Sequence, residues 1–106
     1  MATKMPQITL LIRQKTKPGK RDEARRIWEK HMQPAVSANP EQTAYYYCFD
    51  NADPDMIRVF QQYSSPEAAQ TFLKTEAYQA YIRELRPLLS APPMVRVMTP
   101  VWVKGA

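Results

Sequence analysis

Residues 43–63 read TAYYYCFDNADPDMIRVFQQY. Aromatic and β-branched residues crowd both ends, and the middle, Asn51-Ala52-Asp53-Pro54-Asp55, consists of residues that favour a turn. In the first run, Thr43 to Asp50, strand alternation places Tyr45, Tyr47 and Phe49 on one face and Ala44, Tyr46 and Cys48 on the other. In the second, Met56 to Tyr63, it sets Ile57, Val59, Gln61 and Tyr63 against Met56, Arg58, Phe60 and Gln62. So short a connection predicts an antiparallel hairpin.

Upstream, Gln7 to Lys15 reads as a strand, with Ile8, Leu10 and Ile12 on one face and Thr9, Leu11 and Arg13 on the other. Thr16-Lys17-Pro18-Gly19 is a turn. From Lys20 to about Ala38, Ala24, Ile27, Trp28, His31 and Ala35 recur at helical spacing opposite Asp22, Arg25, Arg26, Glu29 and Gln33. Pro34 should kink the last turns, and Asn39-Pro40 closes the segment.

Downstream, Ser65 caps a helix, Pro66 suits its first position and Glu67 its dipole, with Ala68, Ala69 and Phe72 facing inward. A second helical run starts at Thr75, with a stripe of Tyr78, Tyr81, Ile82, Leu85, Leu88 and Leu89, and Pro87 ends or loosens it. Ala91-Pro92-Pro93 is a break. Met94 to Val103 reads as a last strand, with Val95, Val97, Val101 and Val103 alternating against Met94, Arg96, Met98 and Trp102, and Pro100 argues for an edge position or bulge. The order β-α-β-β-α-β predicts an α+β, ferredoxin-like fold: a four-stranded antiparallel sheet with helices on one face. The strands are apolar on both sides, so the open face calls for a cover, most simply a second copy of the chain.

At 106 residues the chain is one domain, its core spanning about residues 7–103. No apolar run reaches the roughly 18 residues of a membrane span. The first residues lack the shape of a secretory leader, since the apolar stretch Ile8–Ile12 runs into Arg13 and Lys15. One cysteine, Cys48, forms no internal disulfide, and with one histidine, His31, it makes no ordinary zinc site. Cys48 reads as a buried small hydrophobe and the methionines as gap-fillers. Two glycines leave no phosphate-cradling loop. Residues 1–30 hold nine Lys or Arg against three Asp or Glu, whereas residues 31–106 hold six against seven. Such asymmetry can mark a face for nucleic acid or an anionic ligand; a solvated helix face is the favoured reading. The expectation is a cytoplasmic protein without metal or cofactor.

The order and spacing of four segments carry a family resemblance. They are Lys17-Pro18-Gly19-Lys20 after the first strand, Tyr45-Tyr46-Tyr47 in the second, Gln61-Gln62-Tyr63-Ser64-Ser65-Pro66-Glu67-Ala68 across the third strand and helix start, and Thr75-Glu76-Ala77-Tyr78 at the helix restart. With them the chain resembles the antibiotic biosynthesis monooxygenase domain family from Ile8 to Val101. The resemblance implies a dimeric α/β barrel in which two sheets pack face to face. It also implies an enzyme that oxidises quinols or polycyclic phenols with O₂, without metal or flavin, although some members degrade haem and others have no known activity. The chain departs from the family pattern at several positions. Phe72 and Ala77 stand where many members carry histidine, Ile82 where haem-degrading members place their iron ligand, and Gln61 where a glutamate is usual. Haem is therefore not expected.

Cofactor-free oxygenation needs an apolar cavity, one base and donors for the developing charge. His31 is the candidate catalytic base, since an imidazole accepts a proton near neutrality. On the inner stripe of its helix it would face the sheet or a cavity beneath, a placement that also suits a satisfied core histidine. Trp28, Tyr47, Tyr63, Phe72 and Tyr81 are the candidate substrate-binding residues, an aromatic lining with phenolic donors, although core packing alone also uses such rings. Arg58 and Arg96 would stabilise an anion or pair with surface carboxylates. The expected partners are a second copy, a small aromatic substrate and O₂. A non-catalytic homodimeric small-molecule binding domain of the same fold is the alternative. RNA recognition motifs share the element order, but Met56–Tyr63 lacks their glycine-aromatic pattern, so no nucleic acid is expected.

Overall fold

Strand alternation sorts the sheet into two unlike faces, and the helices cover the one that carries the larger apolar side chains. The computed structural model describes residues 7–105. Strand β1 (Ile8–Lys15) leads to helix α1 (Arg21–Ser37), the hairpin β2 (Gln42–Phe49) and β3 (Met56–Tyr63), helices α2 (Pro66–Leu73) and α3 (Glu76–Leu85), a 3-10 turn at Arg86–Leu88, and β4 (Met94–Met98). The sheet order is β2-β3-β1-β4 with every neighbour antiparallel, which is the ferredoxin-like arrangement.

Leu10, Ile57, Val59 and Tyr63 from the sheet meet Ala24, Met32, Ala69, Phe72, Tyr81 and Leu85 from the helices in one buried core. Each large side chain buried there contributes about 1.5–3 kcal/mol. The turn Lys17–Lys20 places Pro18 and Gly19 at its centre, and Gly19 takes the positive φ (76°) that its position needs. Arg21 then clamps the hairpin turn: its guanidinium donates to the carbonyls of Asp50, Asp53 and Met56 and lies 4.0 Å from the centre of the Phe49 ring. Ser65 and Thr75 cap α2 and α3 by accepting from Ala68 N–H and Tyr78 N–H. Helix α1 continues through Pro34, which lies on its exposed face, to Ser37.

Three expectations are corrected. The last strand stops at Met98, not Val103, because its ladder to β1 ends at the Thr9–Met98 pair and Pro100 has no N–H to extend it. Cys48 is exposed, since alternation turns it to the face that no helix covers. Met94 and Met98 are exposed on the same face; among the described residues, Met32 and Met56 are the buried methionines.

Candidate functional site

The inner face of the sheet is more polar than a core requires. Gln14, Gln42 and Gln61 are all buried there beneath the helices. Register explains how they meet the tyrosines: Tyr45 and Leu10 flank Gln61, and Gln42 pairs with Tyr63. The Tyr63 hydroxyl accepts from Gln42 Nε2 at 2.9 Å and donates to Gln61 Oε1 at 2.7 Å. From above, Tyr81 of α3 brings its hydroxyl to the Gln14 amide at 3.4–3.5 Å. Trp28 of α1 donates from Nε1 to the Tyr45 hydroxyl at 3.0 Å.

Aromatic rings join these groups into one layer. Trp28 stacks on Tyr47, centroids 4.4 Å apart and planes 14° from parallel. Tyr63 packs on Phe72, Phe72 on Tyr78, and Tyr78 on Tyr81. Burial raises the pKa of Tyr45, Tyr47, Tyr63 and Tyr81 above the ordinary tyrosine value, so these hydroxyls stay protonated at neutral pH. They are donors and not bases. One of them is unsatisfied: the buried hydroxyl of Tyr47 has no hydrogen-bond partner among the described residues.

The layer meets a groove at each end. One, about 460 Å³, is bordered by Phe72, Ala35 and Ala68 and rimmed by Asn39, Glu41, Glu67 and Thr71. The other, about 420 Å³, is bordered by Trp28, Tyr47 and Phe49 and rimmed by Arg25, Glu29 and Gln33.

The aromatic candidates Trp28, Tyr47, Tyr63, Phe72 and Tyr81 therefore sit in one layer. His31 stands at its flank. One turn along α1 from Trp28, it pairs with Glu84 of α3 at the seam between the helices, and it borders neither groove. The imidazole holds the Glu84 carboxyl below its usual range, with Lys30 adding to the effect. Helical spacing alone put His31 on the inner stripe; its turn toward α3 depends on Glu84, 53 positions away. The buried glutamines and Tyr45 also belong to the layer. Gln14 and Gln42 could be found only by noticing polar residues at inward strand positions.

Residues 7–84 match the model of the antibiotic biosynthesis monooxygenases. The chain belongs to that family. Antibiotic biosynthesis monooxygenase domains include oxygenases and also many proteins of unknown function, and they are commonly dimeric. Solved structures agree on the fold. A candidate antibiotic biosynthesis monooxygenase from Chloroflexus aurantiacus J-10-fl is 26% identical, with 93% of this chain and 97% of that one covered at a TM-score of 0.80. A candidate antibiotic biosynthesis monooxygenase from Caulobacter crescentus CB15 is 16% identical, with 93% of each chain covered at 0.86. A Nitrosomonas europaea protein of unknown function is 22% identical, with 96% of each chain covered at 0.80. Comparison with curated protein sequences gives no match. Among the described residues no helix is long and apolar enough to cross a membrane.

Proposed function

We propose that this protein is a cofactor-independent monooxygenase that oxidises a quinol or phenolic polycyclic substrate with O₂, working as a homodimer. The observation that carries the reading is the Tyr47 hydroxyl, buried without a partner beside the Trp28 ring. A buried unpaired hydroxyl costs stability, and a substrate oxygen would satisfy it. In this reading the substrate ring enters along the Trp28–Tyr47 groove and stacks on the aromatic layer, with its oxygen taking the Tyr47 hydrogen bond. The substrate gives up a proton, and its anion then passes an electron to O₂. The neutral tyrosines and the glutamine amides donate hydrogen bonds to the anion. None of them takes the proton. The candidate acceptor is His31, one turn along α1 from Trp28 and paired with Glu84 at the seam, outside the groove itself.

Dimerisation is part of the proposal. The open sheet face exposes Leu11, Tyr46, Met94 and Met98, and the segment beyond β4 exposes Trp102 at 79%. Isolated apolar side chains are ordinary on a surface, but a contiguous set on a bare sheet calls for a partner.

A second reading, binding without turnover, is favoured by His31 lying outside both grooves and by Gln61, a neutral amide at the heart of the site. Oxygen uptake against a panel of quinols and anthrones, with autoxidation subtracted, separates the two. The proposal expects protein-dependent uptake that falls in both Tyr47→Phe and His31→Ala. Uptake insensitive to His31→Ala would remove that residue from the mechanism. Ligand binding without uptake across the panel would move the protein to the second reading.

A further inference from the structure

The groove of about 460 Å³ between the end of α1 and helix α2 takes no part in the proposed oxidation. Ala35, Ala68 and the Phe72 ring give it an apolar floor, and its two charged residues are Glu41 and Glu67. No Lys or Arg lines it, although the chain carries a net charge of +5. Lys74 closes the far end of α2 and does not line the groove. Neither carboxylate makes a salt bridge among the described residues. Glu41 accepts from Ser64 Oγ at one oxygen, which leaves its other oxygen and both of Glu67 to spare. Most other rim groups are spent locally. Ser65 Oγ caps Ala68 N–H, and Thr75 Oγ1 lies between Tyr78 N–H and the Phe72 carbonyl. The Asn39 amide is held by Glu41 N–H and Gln42. The groove also borders Ala35 and Asn39 at the negative end of the α1 dipole, where the last turn has no basic residue.

We propose that this groove binds a primary ammonium carried on an apolar body, an arylalkyl- or alkylamine. The body rests on Ala35, Ala68 and Phe72, and Glu41 and Glu67 hold the ammonium. An ammonium offers three donors and no acceptor, which suits a rim whose spare capacity is carboxylate oxygen. Exposed ion pairs are individually weak, so burial of the apolar body and the two charges act together. The site lies among the helices, away from the open sheet face that a second copy would cover, and does not depend on the oxygenase reading.

The test is calorimetric titration of the full chain at neutral pH and low ionic strength with 2-phenylethylamine, which is protonated there. Its neutral and anionic counterparts, 2-phenylethanol and phenylacetate, run alongside. Saturable binding of the amine at one site per chain is expected, with the alcohol weaker and the acid weaker still. Glu41→Gln and Glu67→Gln should each weaken it by up to about fivefold, and the double variant by roughly tenfold or more. Asp22→Asn, an exposed carboxylate at the other end of α1, should leave it unchanged. These glutamates are exposed, so the variants should fold, and circular dichroism checks it. Ala68→Leu fills the floor and should abolish binding of the amine. In two-dimensional NMR the Ala68 and Thr71 amides should shift with the amine while the Trp28 indole N–H stays in place. Absence of amine binding, undiminished binding in the double variant, equal loss in Asp22→Asn, or the alcohol binding as tightly as the amine would each overturn the proposal. So would shifts centred on the Trp28 indole, since the amine would then occupy the other groove.

Discussion

Two tyrosines on the same face of neighbouring strands have opposite relations to their surroundings. Tyr63 is almost wholly buried and uses its hydroxyl both ways, between Gln42 and Gln61. Tyr63→Phe strands two buried amides and should cost about 1–3 kcal/mol in urea unfolding. The Tyr47 hydroxyl is buried and unpaired, so Tyr47→Phe removes an uncompensated group and should leave stability unchanged or slightly raised. If Tyr47→Phe proved as costly as Tyr63→Phe, its hydroxyl would have a partner in solution, and the vacancy argument for a substrate oxygen would fail. Alternation along Gln42–Phe49 made the common face of Tyr45 and Tyr47 legible in the sequence. Which hydroxyl lacks a partner was not, because it depends on side chains from α1, α3 and the other strands.

At the scale of the element, the helix starts follow local chemistry. Ser65 and Thr75 each accept a bond from the N–H three residues on, and Pro66 follows Ser65 where its missing donor costs nothing. Ser65→Ala and Thr75→Ala should each lower stability by about 1 kcal/mol in thermal or urea unfolding, and the two effects should nearly add. Helix α1 has no side-chain cap at Lys20. Its start is held instead by Asp22 and Glu23 in the first turn and by Arg21 clamping the β2–β3 turn. The limit of β4 was set by its partner: β1 begins at Ile8, so alternating valines beyond Met98 find no strand to pair with.

For the whole molecule, stability should follow pH asymmetrically. Burial raises the pKa of Tyr45, Tyr47, Tyr63 and Tyr81, so above about pH 10 the unfolded chain ionises these groups while the folded one does not. The folded state then holds more protons, and stability falls as the pH rises further. Toward acid, hydrogen bonds from Arg58, Lys15 and His31 hold Asp50, Asp53 and Glu84 low, so their contribution is present above about pH 4 and is lost as the pH falls through the lowered values. Those pairs are exposed and worth little. Melting temperatures across pH should therefore drop more steeply on the alkaline side, with phenolate absorbance appearing as the chain unfolds. For the proposed dimer, Leu11→Glu on the bare sheet face should yield a folded monomer by sedimentation; a species of twice the chain mass would place the interface elsewhere.

The order of elements, the inward face of each strand and the two capped helix starts were determined by the sequence itself, because period and local hydrogen bonding act over a few residues. The family resemblance rested on the same short segments. Tertiary structure alone decided that His31 turns toward Glu84, that Cys48 lies open to solvent, and that β4 ends at Met98. Each of these depends on strand register or on helix packing between residues far apart in the chain, and no local pattern encodes that distance.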